Sequence, residues 1–338
     1  MSAPQQLRHF EIVDCAVRSA EHFYLLGSHI HQLDEDCDDD GGDLAAPTDP
    51  EPDLREAMRV AVYFPQRSTE KQWAFRTVRH IEFMRGAVAH APQAQWISVS
   101  IDGQVYALGG GVSAMEQRIP EHRCGPLRGS VRQVVEIDGH AHAVQAHRGL
   151  CRRLGPDHWK TLCADLPPGP LDGGDAAGFR CAAGSSASDI YAGGDGGDLW
   201  HFDGVRWRQQ PFPDEAIDLL CCPAPGDVVA ACRSSAVYRS TGNGWRKLGA
   251  SGVGPYRSMV SYQGAVWCSS DAGIWRIDGD RIGRVTLPDG ISANAGLLAA
   301  RDGVLLVAGK HGAAYLQDGM WREFLSFGSG AKAATPRR

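Results

Sequence analysis

The chain has 338 residues, 43% of them hydrophobic and 22% charged, with a formal net charge of −6. That balance excludes a disordered polyelectrolyte, and no run approaches the roughly eighteen apolar residues a membrane-spanning helix needs. Forty-one glycines and nine tryptophans point to many short strands joined by tight turns.

The opening MSAPQQLRHFEIVD carries neither a basic n-region nor an apolar core, so no secretion signal is expected and the protein is read as cytoplasmic. Within it begins a strand-like run, HFEIVDCAV at 9–17, expected to close a ring against the end of the chain.

Residues 34–56, DEDCDDDGGDLAAPTDPEPDLRE, hold eleven acidic residues and one basic. Their charge of −10, set against −6 for the whole, leaves +4 elsewhere. Asp36, Asp38, Asp40 and Gly41 match the first half of an EF-hand loop, but Pro47 stands where the bidentate Glu belongs. A block of like charge repels itself and stays solvated, and it would also attract a basic partner. On that ground Asp34, Glu35, Asp36, Asp38, Asp39, Asp40 and Asp43 are the candidate partner-binding residues.

Strand-like runs follow: MRVAVYFP, QWAFRTV, HIEFMRGAVAH and QWISVSIDG. Four later stretches then answer one another: DIYAGGDGGDLWHFDGVRW (189–207), DVVAACRSSAVYRSTGNGW (227–245), AVWCSSDAGIWRIDGDRI (265–282) and VLLVAGKHGAAYLQDGMW (304–321). Their aromatics Trp200, Tyr238, Trp275 and Tyr315 stand 38, 37 and 40 residues apart. Weaker copies place Met115 (104–116) and Cys151 (140–153) opposite Trp200. A period near 40 with four short strands per unit is a β-propeller blade. The expectation is an all-β single propeller over 1–328, seven four-stranded blades with six or eight open, and a flexible tail at 329–338. The interruption at 164–178, ADLPPGPLDGGDAAG, reads as a Pro- and Gly-rich surface loop.

Three motifs invite chemistry. GGDGGDLWH at 193–201 fits the calcium-binding nonapeptide of repeat-in-toxin proteins, with Asp198 as ligand, but such sites need successive copies and this one stands alone. Its glycines are expected in the hairpin between the second and third strands of a blade. SSDAGIWR at 269–276 approaches the sialidase Asp-box, shifted to the second-to-third turn. His140 and His142 share a strand face, with His147 able to approach across a hairpin. They are weak metal candidates, because no carboxylate or cysteine stands at closed-site spacing. No cofactor is expected, and no catalytic residue is assigned. Ten cysteines without a C-x-x-C pair read as small buried hydrophobes. Trp159, Trp207, Trp245 and Trp321, recurring in register, read as blade packing.

The unit DIYAGGDGGDLWHFDGVRW resembles an irregular bacterial propeller repeat reading approximately V-Y-A-V-G-x-x-G-x-I-x-H-Y-D-G-x-x-W. The resemblance implies fold and not activity. Similar propellers serve in bacteria as partner-binding proteins, some of them immunity proteins for secreted toxins. The expected function is therefore a non-enzymatic protein-binding propeller, monomeric outside its complex, whose partner is a protein such as a basic toxin domain. Nucleic acid is not an expected partner, since no basic stripe with interleaved aromatics occurs, and neither is membrane, since no apolar run is long enough to span one. A hydrolase or lyase with its site at the central channel is the alternative, and a multi-protein scaffold is another.

Overall fold

The computed structural model describes residues 4–7, 9–29, 57–81, 83–169, 178–242, 244–249, 254–288, 291 and 296–327. Among them the chain forms seven antiparallel sheets of four strands, the seven-bladed propeller expected from the repeats. Blade 1 is β1 (Phe10–Ser19), β2 (His22–His29), β3 (Ala57–Tyr63) and β4 (Trp73–Arg79); blade 2 is β5 (Arg85–Ala89), β6 (Gln95–Val99), β7 (Val105–Gly109) and β8 (Val112–Glu116). Blade 3 is β9 (Val131–Ile137), β10 (His140–Gln145), β11 (Gly149–Gly155) and β12 (His158–Thr161); blade 4 is β13 (Phe179–Ser186), β14 (Asp189–Gly194), β15 (Leu199–Phe202) and β16 (Trp207–Gln210). Blade 5 is β17 (Ile217–Ala224), β18 (Asp227–Cys232), β19 (Val237–Thr241) and β20 (Gly244–Leu248). Blade 6 is β21 (Ser258–Tyr262), β22 (Ala265–Ser270), β23 (Gly273–Asp278) and β24 (Arg281–Arg284). Blade 7 is β25 (Leu297–Arg301), β26 (Val304–Gly309), β27 (Gly312–Gln317) and β28 (Met320–Ser326).

Each blade uses four consecutive strands, and a lone four-stranded sheet leaves both faces wet. The remedy is visible in the packing. Every seam between neighbouring blades holds one buried apolar cluster, seven clusters for seven seams. The closing seam joins Ile12, Val17 and Phe23 of blade 1 to Val304, Leu306 and Tyr315 of blade 7. There Phe23 meets Tyr315 edge-on at 5.0 Å, and Tyr63 stacks on Phe324 at 4.3 Å. The expected closure by the amino-terminal strand is thus a packing closure: β1 pairs with β2 inside its own blade and lies against β25 and β26.

The aromatics at matching positions stand on third strands, as Trp200 on β15, Tyr238 on β19, Trp275 on β23 and Tyr315 on β27. The recurrent tryptophans stand on fourth strands, where Trp207 packs on Phe202 and Trp245 on Phe212. The Asp-Gly turns take the backbone expected of them, with φ of +52° at Asp318 and +75° at Gly319.

One copy is displaced from the expected alignment. Residues 105–109 form a third strand, and Met115 lies on the fourth, opposite Tyr106. The three glycines at 109–111 turn the chain between those strands, all with positive φ, and their composition imitates the second-to-third hairpin of blade 4. The true second strand is Gln95–Val99.

The first strands of successive blades neighbour one another around the ring and line a central channel. They begin at one end of it, the upper face, where the connections between blades and the second-to-third hairpins also emerge. The acidic segment 34–56 lies in sequence between β2 and β3, whose facing ends His29 and Ala57 stand at that face. Its candidate residues, Asp34 to Asp43, lie outside the described residues, as do 170–177 of the Pro/Gly loop and the tail 329–338.

Candidate partner-binding face

The channel encloses about 370 Å³, and its upper end is ringed by charge. Glu11, Arg85, Arg132, Arg180 and Asp218 are first or second residues of β1, β5, β9, β13 and β17, and Arg257 immediately precedes β21. The mouth is a cavity of about 600 Å³ lined by Arg85, Arg132, Arg180, Arg257 and Asp218, with Phe83 and Ile101 on its rim.

Blades 4, 5 and 6 build this ring with one repeated device. A charged residue at the start of the inner strand pairs with its opposite in the same blade's second-to-third hairpin. Arg180 holds Asp195 at 3.1 Å, Arg233 holds Asp218 at 3.0 Å, and Arg257 holds Asp271 at 2.8 Å. The inner members stand 38 and 39 residues apart and the hairpin members 38 and 38. That spacing is a signal in the sequence, legible once charge is tracked alongside the aromatics. Blades 4 and 5 are further linked, because Arg233 also reaches Asp195 at 3.0 Å. Hydrogen bonding to Arg257 holds the Asp271 carboxyl below its usual range.

The glycine-rich stretch belongs to the same face. Glycines 193 and 194 end β14, and 196 and 197 turn the chain toward β15, as expected. Asp198 accepts Arg148 Nε and Nη2 at 2.7 and 2.9 Å and Trp200 Nε1 at 2.8 Å. The aspartates of the calcium-like nonapeptide and of the Asp-box-like segment therefore serve one purpose: they anchor arginines between and within blades.

Around the rim, Phe83 is 63% exposed, and Ile101 and Met115 are each 45% exposed. Phe83 holds φ of +52°, a left-handed backbone that a bulky side chain disfavours. Strain of that kind persists where surroundings impose it and often marks a functional surface. The three apolar residues border a groove of about 920 Å³ between blades 1 and 2, which also takes in Arg76, Arg79 and His80. Phe83 and Ile101 line both groove and mouth, so the two form one surface, cationic and apolar.

No family profile matches the chain. Over 226 residues, 66% of this chain and 74% of the relative, it is 30% identical to the immune protein Tsi7 of Pseudomonas aeruginosa. The chain belongs to the Tsi7 immune-protein family. Among solved structures, this member of the family is similar to YCF48 bound to D1 peptide, with a TM-score of 0.60 at 14% identity over 99% of this chain and 96% of that one. The WD40 propeller domain of Doa1 gives a TM-score of 0.59 at 9% identity, covering 89% and 90%. At such identities these two likenesses concern the fold alone.

In this Tsi7-family chain the histidines do not converge. His140 and His142 lie on β10, but His147 stands in the hairpin beyond that strand's other end, about 20 Å from His140 at the usual strand rise. His140 Nδ1 donates to the Arg153 carbonyl and His142 Nδ1 to the His140 carbonyl, at 3.1 and 3.0 Å. Burial pushes the His142 ring down to about 3, so it is neutral at ordinary pH. Among the described residues no group of three or more His, Cys, Asp or Glu could hold a metal ion. Seven of the nine described cysteines are buried free thiols. Burial pushes Cys163, Cys221 and Cys232 up to about 12, which suits packing rather than nucleophilic chemistry.

Inside the channel, Asp14 Oδ2 accepts the Gly86 amide at 2.9 Å and Oδ1 the Cys15 amide at 2.9 Å. Its carboxyl, enclosed by the channel wall, is pushed up to about 6 by burial, against the pull of those amides and of Arg85. With both oxygens bonded to backbone, its work is to tie β1 to β5. At the lower end Arg301 meets Glu136 at 3.3 Å.

Proposed function

We propose that this protein is an immunity protein that binds and neutralises a protein partner, a toxin, through the upper face of the propeller. The observation that carries this reading is the 30% identity to an immune protein over 226 residues. The closed ring supports it physically: a scaffold tied at seven seams presents its loops with little ordering cost on binding. The −10 segment 34–56 supplies a second, electrostatic contact to a basic part of the toxin, steering its approach. The protein acts in the cytoplasm, where a toxin entering the cell would meet it.

The test is co-purification of the tagged chain from its native host, followed by co-expression of the recovered partner with and without it. A stoichiometric partner whose toxicity the chain abolishes is the expected result. A partner that is harmless alone, or that remains toxic beside the chain, overturns the reading.

A further inference from the structure

We infer that the upper mouth of the channel is a carboxylate-binding site that receives an acidic loop of the protein partner, with Phe83 as the apolar anchor beside it. The inference deepens the immunity reading and rests on it for the identity of the occupant. Four arginines from four different blades line one cavity of about 600 Å³ whose only acidic lining residue among those described is Asp218. Of that set Arg180 is shared with Asp195 and Asp218, and Arg257 is paired with Asp271. Arg85 commits its Nη1 to the Met84 carbonyl at 3.1 Å, one of the five donors of its fork, and its charge is felt by Asp14 deeper in the channel.

Arginines gathered in a walled cavity focus positive potential and suit bidentate carboxylate recognition. The apolar component is contiguous. Phe83, 63% exposed, stands between the arginine mouth and the groove of blades 1 and 2, where an aromatic residue on the partner's acidic loop would be covered. A carboxylate loop fits this combination better than a bare anion, which would use the arginines and leave the Phe83 surface wet.

The experiment titrates a fluorescein-labelled peptide of alternating glutamate and leucine into the protein at low salt and reads anisotropy. It uses the full chain and a variant with 34–56 replaced by a short Gly/Ser linker, so that the chain's own acidic segment does not mask the mouth. Saturable binding is expected in the linker variant at least. Combining Arg85→Ala with Arg132→Ala should weaken it about tenfold or more, as expected for loss of charge-assisted bonds. Phe83→Ala should weaken it severalfold, and Arg281→Ala, on an exposed outer strand away from the mouth, should leave it unchanged. Thermal melts confirm that each variant folds. Absent binding in both backgrounds, or binding indifferent to Arg85 and Arg132, overturns the inference. Tripolyphosphate that binds more tightly than the peptide, without regard to Phe83, reassigns the mouth to phosphoryl anions and likewise overturns it. Because no toxin enters the titration, its failure is separate from failure of the immunity reading.

Discussion

Arg148 lays its guanidinium across both carboxylate oxygens of Asp198, at 2.7 and 2.9 Å, and so bolts the second-to-third hairpin of blade 3 to that of blade 4. Both side chains are largely buried, 16% and 14% exposed, which shields the pair from solvent screening. Asp198→Ala also strands Trp200 Nε1, which donates to the same carboxylate. It should lower stability by about 1–3 kcal/mol, the usual range for losing a charge-assisted acceptor. Arg148→Ala should cost a similar amount, and the double variant less than their sum. Additive losses in thermal melts would contradict the bolt. EDTA should leave the wild-type melt unmoved; a fall on chelation would restore the calcium reading of this stretch.

A second inter-blade pair lies deeper. Arg153 and Glu116 join blades 3 and 2 with side-chain exposures of 1% and 7%, Nε reaching Oε2 at 3.0 Å. Removing one partner leaves a buried charge alone, so Glu116→Ala should cost about 3–5 kcal/mol in urea denaturation. A loss below about 1 kcal/mol, the value of an exposed pair, would show that this seam is wet.

The glycines of the 193–201 motif are predicted to matter by position rather than by kind. A Cβ on Gly197, φ +70°, would stand 2.4 Å from the Pro213 carbonyl oxygen, whereas one on Gly196, φ +63°, meets nothing nearer than Asp214 Oδ1 at 3.6 Å. Gly196→Ala should cost about 1–2 kcal/mol, the left-handed penalty alone. Gly197→Ala should cost clearly more, because the backbone must also shift. Equal melts for the two would contradict the assigned hairpin.

This contrast shows how far the sequence could be read. Hairpin chemistry and the 38-residue rhythm located the blades from 189 onward, because each unit there repeats the same strand, glycine turn and aromatic. The repeat alignment of blade 2 is off by one strand, since Gly109, Gly110 and Gly111 look the same whether they join second to third strands or third to fourth. The arginine mouth was not legible by spacing of motifs, because its members lie in separate blades and meet only when the ring closes. Half of the signal was present, though, in Arg180, Asp218 and Arg257 and their hairpin partners, which alternate in sign at near-constant intervals.

Stability should fall as pH rises through the range of Asp14. Its carboxyl titrates at about 6 in the fold and near 3.9 when unfolded. Between those values the native state binds the extra proton, so unfolding free energy decreases with rising pH and levels off above about 6. Asp14→Asn should flatten that segment of the stability curve while keeping an acceptor for the Gly86 amide. A slope of opposite sign attributable to Asp14 would contradict its placement in the channel wall.

Binding of the partner at the proposed upper face is tested most directly by hydrogen exchange of the complex recovered from the native host against the free chain. Slowed exchange is predicted at 83–86, 130–133 and 256–258, around the arginine mouth, with the lower-face turns at 20–21, 138–139 and 302–303 unchanged. Protection confined to those lower turns, with the mouth exchanging as in the free protein, would contradict it.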